Sequence, residues 1–268
     1  MIDRLACVAA CAWLAAALAA QPASPEALTE AASPEPAVIE AVSAITATSE
    51  VRAAPSHDIE AIALLEQMSS THSGLQALQG TFIQHKTSEM LLEEDVATGR
   101  FWWQRPGRFR YDYDASELTG ESSYWFIGDD AHVYIPEFNQ HEIYHLSQDD
   151  TLDQSYSRVL IGLDGAVDEL LERNWVRLNA PTEEDVELGP GVTHITLIPR
   201  DGVDPDGLTQ IDLWVDQQRF PAQVKMVEES GDTTVLRFTA LTPNPDIGDE
   251  VFDPGATVQP DATVLEFP

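Results

Sequence analysis

The stretch Gly99-Arg-Phe-Trp-Trp-Gln-Arg-Pro-Gly-Arg-Phe-Arg-Tyr-Asp-Tyr-Asp114 leaves the chain little choice of local structure. At period two, Phe101, Trp103 and Arg105 share one face, and Arg100, Trp102 and Gln104 share the other. Pro106-Gly107 then interrupts the pattern, because proline cannot donate to a sheet ladder and glycine tolerates positive φ. Alternation resumes with Phe109, Tyr111 and Tyr113 facing inward and Arg108, Arg110 and Asp112 outward. The stretch predicts a β-hairpin with an aromatic inner face that also carries Arg105. A guanidinium stays charged at ordinary pH and is costly to bury alone, so Arg105 requires a partner.

Further strands are predicted near 79–88, 122–127, 131–136, 140–146, 174–178, 192–199, 208–216, 219–228 and 233–241. Ile211, Leu213 and Val215 fall on one face of their strand, and Gln210 and Asp212 on the other. Asp216-Gln-Gln-Arg219 and Glu229-Ser-Gly-Asp232 are connections of hairpin length. Strands joined mainly by such turns argue for an antiparallel meander and against βαβ units. Two helical stretches flank or interrupt the strands. The first begins at Ser56 as cap with Asp58 in its first turn, buries Ile59, Ile62, Ala63, Leu64, Leu65 and Met68, and ends between Ser69 and Gly74. The second runs from Leu152 to Leu171, broken near Gly162 and Gly165, and is apolar enough to plug one end of a sheet.

The ends of the chain differ in composition from its middle. Residues 1–20 have the basic residue, short apolar core and small-x-small site of a secretory signal peptide. Val8-Ala-Ala-Cys11 has the outline of a lipoprotein processing box, but too few apolar residues precede it, so lipid attachment at Cys11 is not expected. Cys7 and Cys11 both lie within this segment, so a mature chain has no disulfide or thiolate chemistry. Residues 21–55 are an Ala/Pro/Glu-rich acidic linker without aromatic residues, unable to bury enough apolar area to offset ordering. A folded domain over 56–247 is followed by a Pro-rich segment, 248–268, expected to be extended, with little regular structure and a mobile end.

Candidates for chemistry are few. His132, His141 and His145 are the best metal set, but His141 and His145 would stand about 13 Å apart on one strand face, which favours exposed strand histidines. Asp204-Pro-Asp-Gly207 lacks the rest of a calcium loop and reads as a turn. Acidic runs such as Glu93-Glu94 and Glu183-Glu184-Asp185 read as solvated carboxylates. No nucleophile elbow, phosphate loop or zinc-protease motif is present, so no catalysis, cofactor or metal is expected. The net charge of −32 disfavours nucleic acid and anionic membrane surfaces, and suits a basic partner or a high-salt medium.

Phe101-Trp-Trp-Gln-Arg-Pro-Gly-Arg-Phe-Arg-Tyr111 resembles the signature hairpin of the periplasmic outer-membrane lipoprotein carrier (LolA) family. Leu78-Gln-Gly-Thr-Phe-Ile-Gln84, Ser123-Tyr-Trp-Phe-Ile-Gly-Asp-Asp-Ala-His-Val-Tyr134 and Glu250-Val-Phe-Asp-Pro-Gly-Ala-Thr-Val258 follow in the family's order, so the resemblance spans roughly residues 56–258. It implies an α+β, mainly antiparallel fold: an open, strongly curved half-barrel sheet capped by helices. It also implies a soluble periplasmic carrier, monomeric, that shelters acyl chains of lipoproteins or a related lipidic cargo. Partners would be an inner-membrane release complex and an outer-membrane receptor. The cargo cavity would be lined by Phe101, Trp103, Phe109, Tyr111 and Ile211. The carbonyls of a lid at Leu160, Ile161 and Gly162 would hold Arg105 as a latch. A lipid-sensing or scaffold module on the same sheet is the alternative, and a sensor would carry a further domain or an anchor.

Overall fold

The computed structural model describes residues 57–90, 93–116, 120–146, 167–204 and 207–267. Their alternating strands assemble as one open sheet of twelve, β1 (Ala77–Ser88), β2 (Glu93–Gln104), β3 (Arg108–Tyr113), β4 (Ser122–Ile127), β5 (Asp130–Ile135), β6 (Gln140–His145), β7 (Asn174–Leu178), β8 (Thr193–Pro199), β9 (Leu208–Val215), β10 (Pro221–Glu228), β11 (Thr233–Pro243) and β12 (Thr263–Phe267). Their spatial order is β12-β6-β5-β4-β3-β2-β1-β11-β10-β9-β8-β7. Two meanders, β1 to β6 and β7 to β11, therefore meet where β1 pairs antiparallel with β11. All neighbours are antiparallel except β12 and β6. The antiparallel meander expected from the strand pattern is present, within the open half-barrel that the family resemblance implies.

Helix α1 (Ile59–His72) lies on one face of this sheet, here called the inner face. Asp58, not Ser56, is its cap: the Asp58 carboxylate accepts the Glu60 N–H at 2.9 Å. The buried side is also turned from that expected. Ala61, Leu64, Leu65, Met68 and His72 are buried, at helical spacing, while Ile59 is 80% exposed. Ala61, Leu64, Leu65 and Met68 pack on Val176, Ile195, Leu197, Ile211, Leu213 and Val224 from β7 to β10, and His72 lies against Phe220. The Asp58 N–H also donates to the Val176 carbonyl, so the start of the helix satisfies part of the β7 edge. Of the second helical stretch, α2 (Val167–Arg173) is described, with Val167, Leu170 and Leu171 against the same core. Leu160, Ile161 and Gly162 lie outside the described residues.

Two further features depart from the sequence reading. Glu183-Glu184-Asp185 opens a helix, α3 (Glu183–Leu188), with Thr182 and Asp185 forming a capping box. Asp185 is only 5% exposed and accepts the Trp214 indole N–H at 2.6 Å, so it is not a solvated carboxylate. The C-terminal segment, expected to have little regular structure, makes two 3-10 turns, Asp249–Phe252 and Pro254–Ala256. It ends as β12, parallel to β6. Thr263, Val264 and Phe267 favour extended backbone, but the edge that β12 joins lies more than a hundred positions away on β6.

Candidate functional site

The hairpin forms as read. β2 and β3 pair Gln104 with Arg108, Trp103 with Phe109, Phe101 with Tyr111 and Gly99 with Tyr113. Gly107, at φ +57°, makes the turn after a cis Arg105–Pro106 bond. Phe101 and Phe109 are 1% and 2% exposed, their rings stacked 6.0 Å apart, with Tyr111 4.3 Å from Phe109. They form one cluster with Leu75, Leu78, Phe82, Phe220 and Leu236, flanked by Trp103, Tyr113 and Phe238. Glycines make room for the rings: a Cβ on Gly99 would stand 2.5 Å from the Phe82 ring, and one on Gly80 would stand 2.7 Å from the Phe101 ring.

Four of the expected lining residues, Phe101, Trp103, Phe109 and Tyr111, are thus brought together. Ile211 lies in the adjoining cluster beneath α1, and Phe238 touches both clusters. The two clusters therefore join as one apolar surface that reaches from β3 across to β8. Burial pushes the Tyr111 and Tyr113 phenols well above their usual range, Tyr113 also by neighbouring Tyr111 and Tyr124. They stay protonated, and Tyr113 donates to the Gln84 amide oxygen at 2.8 Å.

Arg105 stands at the rim of this face. Its Nε donates to the Leu75 carbonyl at 2.8 Å, its backbone N–H donates to the Gln76 carbonyl at 2.9 Å, and its guanidinium lies 5.4 Å from the Trp103 ring centre. The carbonyl partner that the sequence demanded thus includes one on the connection between α1 and β1. Leu75 itself packs into the aromatic cluster, so this bond ties the rim to the apolar surface.

The outer face departs further from expectation. Arg110, read as outward, lies 5.4 Å from the ring centre of Trp102 and 4.8 Å from that of Trp125. It forms a two-pronged pair with Asp112 and donates through Nη1 to the Val251 carbonyl at 2.8 Å. The Trp125 indole donates to the same carbonyl. Arg108 bonds Asp249 and lies over Phe252. Ile247 and Phe252 bury themselves beside Ala77 and Trp102. The C-terminal segment is therefore a strap across the back of the hairpin. Two tryptophans at outward parity were the signal available in the sequence, since a solvated face seldom carries such residues.

The histidines also differ from expectation. His141 is 8% exposed, not an exposed strand residue, and its Nε2 lies 3.1 Å from His132 Nδ1 across β5 and β6. Burial lowers both imidazoles, and His141 lowers His132 further. His145 pairs with Asp130. Among the described residues no three His, Cys, Asp or Glu side chains converge as a metal site. A second buried polar group lies on the outer face at Asp212. Against the upward push of burial, hydrogen bonds from His194, Thr196 and Gln210 hold its carboxyl below the usual range. No described helix is long and apolar enough to cross a membrane.

Residues 73–254 match the family described as outer membrane lipoprotein carrier protein LolA. An outer-membrane lipoprotein carrier protein of Alkalilimnicola ehrlichii is 26% identical over 69% of this chain and 73% of its own. One of Cupriavidus necator is 24% identical over 74% of this chain and 85% of its own. Among solved structures, an uncharacterised conserved protein from Thermus thermophilus aligns with a TM-score of 0.48 at 11% identity, over 78% of this chain and 99% of that one.

Proposed function

The chain belongs to the outer membrane lipoprotein carrier protein (LolA) family, and from that premise we propose that it is a periplasmic carrier without catalytic activity. It shelters the acyl chains of lipoproteins, or of a related lipidic cargo, against the inner face and delivers them to an outer-membrane receptor. The observation that carries this reading is the aromatic surface of Phe101, Trp103, Phe109 and Tyr111, continuous through Phe238 with the apolar face under α1. Acyl chains entering there gain about 0.8 kcal/mol per buried CH2. The rings are packed on one another, so entry requires them to part, and the Arg105–Leu75 bond sits where that parting begins. Loading takes place at an inner-membrane complex, and the leader at 1–20 directs export. An apolar fluorescent probe is expected to bind the purified protein and to be displaced by a diacylated peptide. Absence of both sinks the carrier reading and the lipid-sensing one together.

Arg105 supplies the means of release. Cargo that displaces Leu75 breaks a charge-assisted bond worth roughly 1.5–3 kcal/mol, so the loaded state carries that penalty and the empty one does not. Arg105→Leu is expected to load at least as tightly and to release a diacylated peptide about tenfold to a hundredfold more slowly. Stopped-flow release into acceptor vesicles measures this. Equal off-rates at equal stability leave Arg105 a structural residue of the rim.

A further inference from the structure

The inner face is not apolar along its whole length. On β1 the inward row reads Leu78, Gly80, Phe82, Gln84 and Lys86, and on β2 it reads Trp103, Phe101, Gly99, Ala97 and Asp95. Trp103 and Asp95 are eight residues apart, about 26 Å at strand rise. One end is therefore aromatic and the other polar. Lys86 lies directly opposite Asp95 on one side and Thr234 on the other. Thr234 is 4% exposed, and its hydroxyl has no hydrogen-bond partner. Such a group costs stability unless something satisfies it. Glu228 stands close enough for its charge and that of Lys86 to act on each other.

The electrostatics of this end point the same way. Burial pulls the Lys86 ammonium down to about 8, against the upward pull of Asp95 and Glu228. Burial also pushes the Glu228 carboxyl up, with Asp232 adding to it and Lys86 opposing. Both signs of charge are desolvated side by side, and each gains from an added counter-charge. A lone anion would meet two carboxylates, and a lone cation would meet the lysine. A headgroup carrying both charges meets neither conflict.

The geometry points to this end of the face as a headgroup site for a zwitterionic phospholipid with a primary ammonium, its phosphate at Lys86 and the Thr234 hydroxyl, its ammonium at the Asp95 carboxylate opposite Lys86. The acyl chains then run toward Phe101 and Trp103, and one leaflet's hydrocarbon, about 15 Å thick, fits within the row. The inference rests on the carrier reading and names a cargo class for the same surface.

The test incubates the full chain with vesicles of phosphatidylethanolamine, phosphatidylcholine or phosphatidylglycerol, and with diacylglycerol, which has no charged headgroup. Protein-bound lipid is measured by mass spectrometry after separation. Phosphatidylethanolamine is expected to be captured about tenfold better than the other three, the size of one charge-assisted bond. Thr234→Val removes an unpartnered hydroxyl at nearly constant volume. It is expected to lose that preference while melting no lower than the parent and still capturing diacylglycerol. Lys86→Met should lose it too. Equal capture of all four lipids, or Thr234→Val retaining the preference, overturns the headgroup site while leaving the carrier intact. Capture of none overturns both.

Discussion

Phe109→Ala is expected to lower the stability of the domain by about 3–5 kcal/mol, the cost of removing a large aromatic side chain from a packed interior. At 2–4 °C per kcal/mol for a domain of this size, the midpoint should fall by about 10 °C. The site supports the upper part of that range. Phe109 is 2% exposed, stacks on Phe101, lies 4.3 Å from the tilted Tyr111 ring, and stands opposite Trp103 in the hairpin, so its loss leaves rigid rings that cannot close the gap. A special role for this ring in receiving cargo has to be separated from that cost. Phe109→Leu, which keeps most of the volume, should recover much of the midpoint. If it melts near the parent yet fails to take up a diacylated peptide, the ring itself takes part in transfer. If uptake recovers with stability, Phe109 is a core residue. Thermal melts of both variants, beside peptide uptake, decide the matter.

Arg110→Ala is expected to be at least as damaging, by a different route. The guanidinium lies between Trp102 and Trp125, pairs with Asp112 and donates to the Val251 carbonyl. The Arg110 and Asp112 side chains are only 12% and 16% exposed. Removing the arginine strands a largely buried carboxylate, for which about 3–5 kcal/mol is the usual loss. Asp112→Asn in the same background should restore part of it, because the stranded charge is gone. The loss should be local as well as global. The strap at 247–252 loses a hydrogen bond from Arg110, so amide exchange there should rise well before exchange at β1 and β11. Unchanged protection at Val251 and Phe252 in Arg110→Ala would show that Ile247 and Phe252 hold the strap by apolar burial alone.

Much of the frame is legible residue by residue. The strands at 122–127 and 174–178 match their expected bounds to the residue, and the Pro106-Gly107 turn falls where the alternation breaks. These features are local: a strand's parity is set by every second side chain, and a turn by the dihedral limits of proline and glycine. Helix α1 is legible as a helix but not in its rotation. Its isoleucines fit a three-residue repeat, whereas the sheet beneath selects Ala61, Leu64, Leu65 and Met68.

The sequence by itself determined that β2 and β3 present aromatic rings on one face with an arginine among them, and that this arginine needs an acceptor. Only the tertiary structure decided what that acceptor and the other partners are. Leu75 came to Arg105 because the connection after α1 packs the Leu75 side chain into the aromatic cluster of the hairpin. The C-terminal strap met Arg110 because Ile247 and Phe252 bury against Ala77 and Trp102, which brings the Val251 carbonyl to Arg110 and Trp125. Thr234 was placed beside Lys86 by the long-range pairing of β11 with β1, which joins the two meanders. In each case the partners are far apart in the chain. Their approach is fixed by the register of a whole sheet, which no local pattern of side chains encodes.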